Sequence, residues 1–345
     1  EAAVEAINDN YHKYSPVDGY LDLKKSICKK FKRDNNLDYN VDQIVVSTGA
    51  KQSIANVCMS LVNKGDEVLI PTPYWVSYSA MVALAEGIPV FINPDDDSNY
   101  KITAQQLESA ITDKTKMLML NSPNNPSGSV FTEQEYLEFS KVLSKYPNIV
   151  IVSDEIYEHI NYGVKSVSFA SLPGMFDRTV TVNGISKAYA MTGWRIGYLG
   201  APKVIAKACN KMQGQITSGA NCIAQRATIK ALEESPEKIQ YMVDEFKIRR
   251  DFIIDLVTKI NGFNIKQPPM GAFYIFPDIS ELFGKTFKGV TINDANDLSM
   301  LILEKAHVAT VPGDAFGYPN CIRISYSASR EQIEEAIKRI KDLLS

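Results

Sequence analysis

Short, almost wholly apolar runs recur through the first half of the chain, each bounded by glycine, proline, asparagine, serine or a charged residue. Gln43-Ile-Val-Val-Ser47, Glu67-Val-Leu-Ile70, Ile88-Pro-Val-Phe-Ile92, Met117-Leu-Met-Leu-Asn121, Asn148-Ile-Val-Ile-Val-Ser153 and Arg178-Thr-Val-Thr-Val-Asn183 have this form. Most of these runs are apolar at every position, as suits strands covered on both faces, while the valines and threonines of 178–183 favour a short buried strand, and the breakers set their length. Between them lie stretches of helical spacing, as at 21–31, 53–62 and 76–84. Such alternation predicts an α/β fold with a mostly parallel sheet flanked by helices. With 196–199 added, seven strands are expected.

The pattern then changes. Residues 202–232 and 238–260 have helical spacing, and a domain change is expected at Ser235-Pro236. This gives a large domain over 1–235 and a smaller α+β domain over 236–345. In the smaller one, Gly262-Phe-Asn-Ile-Lys266, Gly271-Ala-Phe-Tyr-Ile-Phe276 and Cys321-Ile-Arg323-Ile-Ser-Tyr326 are expected strands, and 298–306 a helix. Ser329-Arg-Glu-Gln332 has the form of a capping box, opening a last helix with Ile333, Ala336, Ile337, Ile340 and Leu344 on one face. No internal repeat or low-complexity tract is present.

Composition narrows the class. The 345 residues suffice for two domains with sizeable cores, and 45% hydrophobic with 22% charged residues is ordinary for a globular enzyme. A net charge of −3 offers no electrostatic ground for a nucleic-acid or anionic-membrane partner. No apolar run is long enough to span a bilayer and no signal peptide opens the sequence, so a cytoplasmic protein is expected. Cys28, Cys58, Cys209, Cys222 and Cys321 lack paired spacing and read as reduced core thiols, with no metal site expected. His12, His159 and His307 are too scattered in sequence to suggest a histidine-built site. The chain opens in a helical pattern, Glu1-Ala-Ala-Val-Glu-Ala-Ile, and a preceding segment is expected.

Candidate chemistry falls repeatedly just after the strands, where ligands of open α/β sheets gather. Lys187 follows the strand ending at Asn183, in Asn183-Gly-Ile-Ser-Lys187-Ala-Tyr-Ala-Met-Thr-Gly-Trp-Arg195-Ile-Gly197. A lysine hemmed in by small and apolar residues loses hydration, and its neutral amine becomes available to form a Schiff base with an aldehyde. Arg195 can hold a phosphate with two parallel hydrogen bonds. Gly49, Ala50 and Lys51 follow another strand, where a glycine turn and a helix start aim free N–H groups at an anion. Lysine and phosphate anchor together suggest pyridoxal phosphate. Asp154 ends a buried strand and needs a cationic or N–H partner, which a protonated pyridine nitrogen supplies. Tyr157, three residues on, is placed to donate to the ring's phenolic oxygen, whereas Glu155 and Glu158 read as surface residues. Trp75 lies in a proline-stiffened turn, Asn125 in a proline, asparagine and glycine cluster, and Asp95-Asp-Asp97 reads as a solvated loop.

The segment around Lys187 resembles the lysine signature of class I and II aminotransferases of fold type I, and the resemblance extends from about Tyr14 to Tyr326. Within the family it resembles bacterial-type aspartate aminotransferases. The resemblance implies that Lys187 carries pyridoxal 5'-phosphate and moves a proton at the substrate's α-carbon. It implies that Trp75 stacks on the ring, Asn125 donates to its oxygen, and Arg323 grips the substrate α-carboxylate. Lys51 would meet the distal carboxylate of an acidic substrate, with aspartate as donor and 2-oxoglutarate as acceptor. Tyr14 would reach the phosphate of a neighbouring subunit, which implies a homodimer. Two departures are visible: Gly184 stands where some members have a phosphate-binding serine, and no second arginine is evident for a distal carboxylate. An aromatic, alanine-type or prephenate aminotransferase, or a β-eliminating lyase, would keep the same cofactor residues. A ligand-sensing module on this fold is the rival from another class, without an appended DNA-binding helix pair. A dehydrogenase has no Gly-x-Gly-x-x-Gly after a strand to support it.

Overall fold

A computed structural model describes residues 1–95 and 98–345, so Asp96 and Asp97 of the expected acidic loop lie outside the described residues. The apolar runs form β1 (Ile44–Ser47), β2 (Glu67–Pro71), β3 (Ile88–Ile92), β4 (Thr115–Asn121), β5 (Val150–Asp154), β6 (Thr179–Gly184) and β7 (Gly197–Gly200). They make one seven-stranded sheet in the order β1-β7-β6-β5-β4-β2-β3. Pairings from β3 through β6 are parallel, and β7 runs antiparallel to both β6 and β1. The α/β expectation is met. Since β7 runs backwards, its start meets the ends of the other strands, which brings Arg195 to their carboxyl edge.

Helices cover the sheet: α1 (Ala2–Asn8), α2 (Leu21–Asn35), α3 (Ala50–Leu61), α4 (Ser77–Leu84), α5 (Ala104–Ala110), α6 (Glu133–Ser144), α7 (Lys203–Ile216) and α8 (Cys222–Glu233). Alternation along β4 shows why its run is apolar throughout. Met117 and Met119 pack in one core with Ile54 and Val57 of α3 and Met81 and Val82 of α4, while Leu118 and Leu120 pack in another with Phe139 and Leu143 of α6. Each such side chain contributes roughly 1.5–3 kcal/mol by leaving water. A third core sets Ile27 and Phe31 of α2 and Leu232 of α8 against Ile44, Val46 and Tyr198.

The remaining chain forms α9 (Gln240–Val257), β8 (Tyr274–Ile275), a hairpin of β9 (Thr286–Phe287) and β10 (Val290–Thr291), α10 (Ala295–Leu301), β11 (Val311–Pro312), β12 (Ile322–Ser325) and α11 (Arg330–Leu343). A small sheet has the order β11-β12-β8. The capping box forms, with Ser329 accepting from the Gln332 amide and Gln332 from the Ser329 amide. Two expectations need correction. The segment 262–266 makes only the isolated pairing of Asn264 with Asp278, because Gly262 bends at φ 89° with Leu282 packed where a Cβ would sit. The run 271–276 shortens to β8 because Ala272 takes φ 57°, which a strand cannot use.

Ile156, Tyr157, Ile160 and Tyr162 belong to the core of this second part, so the turn after β5 is seated on both halves. We propose the domain change at Ser235-Pro236, where Ser235 caps the turn Pro236–Ile239. Cys58, Cys209 and Cys321 are buried thiols, whereas Cys28 and Cys222 are half-buried, and all five are unpaired. Among the described residues no helix is long and apolar enough to cross a membrane.

Candidate active site

A cavity of about 340 Å³ opens at the carboxyl edge of the large sheet, lined by Ala50, Lys51, Trp75, Asn121, Asn125, Asp154, Ile156, Tyr157, Ser186, Lys187, Thr192, Arg195, Tyr274 and Arg323. At one side stands the start of α3. Its N-cap is Gly49, with no side-chain cap, and the Ala50 and Lys51 amides meet no acceptor among the described residues. The Arg195 guanidinium lies against this turn: a Cβ at Gly49 would come within 2.3 Å of its Nη2, and one at Gly197 within 2.1 Å of the Ala50 nitrogen. Glycine at both positions lets helix start and arginine share one concavity, which is a cradle for an anion. Arg195 is itself held at φ 55°, its Nη1 donating to the Thr192 carbonyl at 2.9 Å.

In the same cavity, Asp154 Oδ2 accepts from the Tyr78 hydroxyl at 2.6 Å and Oδ1 from the Ile156 amide at 3.3 Å. Burial pushes its carboxyl up to about 6, against the pull of these bonds and of the Lys187 charge. A cation or strong donor facing it would restore the ionised form. Asn121 ties the neighbouring loop down, donating to the Asp154 carbonyl at 3.0 Å and accepting from the Asn125 amide at 2.8 Å. Arg323 Nη1 donates to Asn125 Oδ1 at 2.8 Å, which leaves the Asn125 amide nitrogen as a donor. The guanidinium is wedged between the rings of Tyr274 and Phe316, 4.6 and 4.9 Å from their centroids.

Lys187 lies between these groups, its Nζ 5.6 Å from the Tyr157 ring and 5.4 Å from the Phe273 ring. Burial holds its pKa below the ordinary lysine range; Arg323 and Arg195 add to this, and Asp154 opposes it. A lysine whose neutral form burial favours, beside an anion cradle and a carboxylate, is suited to attack a carbonyl. Trp75 lies over one flank with the Lys51 ammonium 4.9 Å from its ring.

The sequence profile described as aminotransferase class I and II matches residues 1–340. The chain belongs to this family. Among curated relatives, the bifunctional aspartate aminotransferase and glutamate/aspartate-prephenate aminotransferase of Petunia hybrida is 45% identical, over 100% of this chain and 73% of that protein. A probable aspartate/prephenate aminotransferase of Rickettsia bellii is 46% identical, over 99% and 86%. The crystal structure of the aspartate aminotransferase from Rhizobium meliloti superposes with a TM-score of 0.95 at 44% identity, covering 100% of this chain and 87% of that one.

Of the positions expected to build this aminotransferase site, Lys187, Asp154, Tyr157, Asn125, Arg195, Trp75, Ala50, Lys51 and Arg323 line the one cavity, with Gly49 at its edge. Tyr14 does not: it is 98% exposed, beside a separate surface groove with Gly219 and Cys222. Glu155 and Glu158, expected on the surface, are buried instead, because the turn after β5 is tucked beneath α2. Lys30 of α2, itself buried, pairs with Glu158, and Asn35 and Asn183 donate to the same carboxylate at 2.6 and 2.7 Å. Burial alone would raise Glu158, but Lys30 and His159 hold it at about 2, whereas burial and the Glu158 charge push Glu155 up to about 7. His159 therefore joins a polar cluster that its place in the sequence did not suggest. Its ring and the carboxylates of Asp34 and Glu158 offer atoms within 4.8 Å of one another, and Lys30 already supplies a cation there.

Five contributors lie outside the expected set: Tyr78, Tyr274, Asn121, Ser186 and Thr192. Tyr78 follows Trp75 at one helical turn, the only hint of its place. Asn121 ends its apolar run as Asp154 ends its own, and that position is its signal, whereas Tyr274 gives none. Ser186 lines the cavity where Gly184 does not: a Cβ on Gly184 would stand 2.8 Å from the Ile196 carbonyl oxygen, so no serine fits there.

Proposed function

We propose that this aminotransferase holds pyridoxal 5'-phosphate in the cavity and moves an amino group from L-aspartate to 2-oxoglutarate, giving oxaloacetate and L-glutamate. The observation that carries the reading is the convergence of Lys187, Asp154, Asn125, Arg195 and Arg323 on one cavity. The donor set fits the cofactor. The uncapped start of α3 and the Arg195 guanidinium suit its phosphate, with the Ser186 and Thr192 hydroxyls in place of the serine absent at Gly184. Asp154 suits the ring nitrogen, Asn125 and Tyr157 the ring oxygen, Trp75 the ring face, and Lys187 the aldehyde. When bound, the group supplies a sink for the electron pair left at the substrate's α-carbon.

The protein's own part is positioning and proton transfer. Arg323 keeps nitrogen donors beyond the one given to Asn125, and these grip the α-carboxylate and fix the substrate's orientation. Lys187 Nζ, whose pKa burial lowers, takes the α-proton. The Lys51 ammonium, at the cavity mouth beside Trp75, meets the distal carboxylate of an acidic donor. Tyr14, fully exposed here, completes the phosphate site of a second copy in a homodimer, and the five unpaired thiols agree with a cytoplasmic setting. A second reading, in which prephenate is also aminated at this site, is favoured by the names of the Petunia and Rickettsia relatives.

Lys51→Ala separates the acidic-donor reading from the rest, since it removes the ammonium and leaves the backbone N–H of the cradle. KM for aspartate is expected to rise roughly 10- to 100-fold, the worth of one charge-assisted hydrogen bond, with KM for alanine or phenylalanine unmoved. Steady-state kinetics with the three donors measures this. An equal loss for all three would contradict the role of Lys51.

A further inference from the structure

Tyr157 has one hydrogen-bond partner among the described residues, the Tyr274 hydroxyl at 2.8 Å. Both phenols are buried, at 3% and 6% exposure, and both line the cavity. Tyr274 sits on β8, where it pairs with Ser325 of β12, and Arg323 projects two residues along the same strand. The strand pair that presents the carboxylate-gripping arginine thus also presents a second phenol behind Tyr157.

A phenol carries a single O–H. If Tyr157 spends its proton on the cofactor's ring oxygen, as proposed above, its own oxygen can only accept from Tyr274. We infer that Tyr274 is a positioning residue for the cofactor: it donates to Tyr157, fixes that hydroxyl's rotation toward the ring oxygen, and strengthens the bond Tyr157 gives. Its own oxygen has no other partner among the described residues, so nothing competes for its proton. The guanidinium 4.6 Å from the Tyr274 ring centroid holds the ring in place and favours donation by polarising the phenol. Hydrogen bonds in such a chain reinforce one another by on the order of 10–30% per bond. The inference rests on the proposed contact between Tyr157 and the cofactor.

The test uses the protein reconstituted with pyridoxal phosphate and reads the pH midpoint of the bound cofactor's visible absorbance, not turnover. A weaker bond at the ring oxygen leaves the Lys187 linkage more basic, so the midpoint moves up. Tyr274→Phe, which removes one oxygen and keeps the ring beneath Arg323, is expected to raise the midpoint by roughly 0.3–0.7 pH units. Tyr157→Phe is expected to raise it further, and Tyr157→Phe with Tyr274→Phe to match Tyr157→Phe alone. A shift in Tyr157→Phe with none in Tyr274→Phe would overturn the inference and leave the reading of Tyr157 standing. Equal shifts from Tyr274→Phe in both backgrounds would also overturn it, since Tyr274 would then act without Tyr157. No shift in Tyr157→Phe would remove the reading of Tyr157 and the inference with it.

Discussion

Lys187→Ala is expected to lower transaminase turnover by roughly 10⁴-fold or more, because one side chain supplies both the covalent attachment and the proton transfer. No other lysine lines the cavity except Lys51, which stands at the Trp75 flank. Burial and two guanidinium groups favour the neutral amine, and Asp154 does not offset them. Borohydride reduction of the reconstituted protein followed by peptide mass analysis gives a second readout. The cofactor's mass is expected on the peptide containing Lys187, and on none in the variant. Near-normal turnover in the variant, or a label on another lysine, would contradict the assignment.

Arg323→Lys is expected to cost about 2–5 kcal/mol in kcat/KM for aspartate, roughly 30- to 5,000-fold. The charge is kept, but the planar fork is lost. Arg323 bonds Asn125 through one nitrogen, packs between the faces of Tyr274 and Phe316, and still has donors to give. A lysine ammonium has neither the plane for stacking nor paired donors for a carboxylate. Steady-state kinetics checks this, with circular dichroism confirming the fold. An unchanged KM and kcat for aspartate would remove Arg323 from substrate binding.

The large sheet was legible because its strands are apolar on both faces and end abruptly at polar turns, so pattern alone set their type and nearly their bounds. The proposed site positions were legible for the same reason: Asp154 and Asn125 stand at or just past strand ends, where the chain can no longer be buried without partners. What escaped depends on distant packing. Glu155 and Glu158 look like any acidic residues until α2 brings Lys30 and Asn35 over them. Tyr78 and Tyr274 reach the site from a helix and from the second half of the chain, more than seventy residues from the groups they bond, Asp154 and Tyr157. The failed strand at 262–266 shows the converse, since β-branched or aromatic content does not form a strand where a glycine must turn left-handed.

One cavity is proposed to bind pyridoxal phosphate at Lys187 and to take an amino group from an acidic donor. The decisive measurement is the visible absorbance of the reconstituted protein, recorded before and after L-aspartate and again after 2-oxoglutarate. The cofactor's visible band is expected to be lost with aspartate as oxaloacetate forms in proportion to sites, and to return with 2-oxoglutarate as glutamate forms. A band that aspartate leaves unchanged, or no band at all with Lys187 intact, would contradict the proposal.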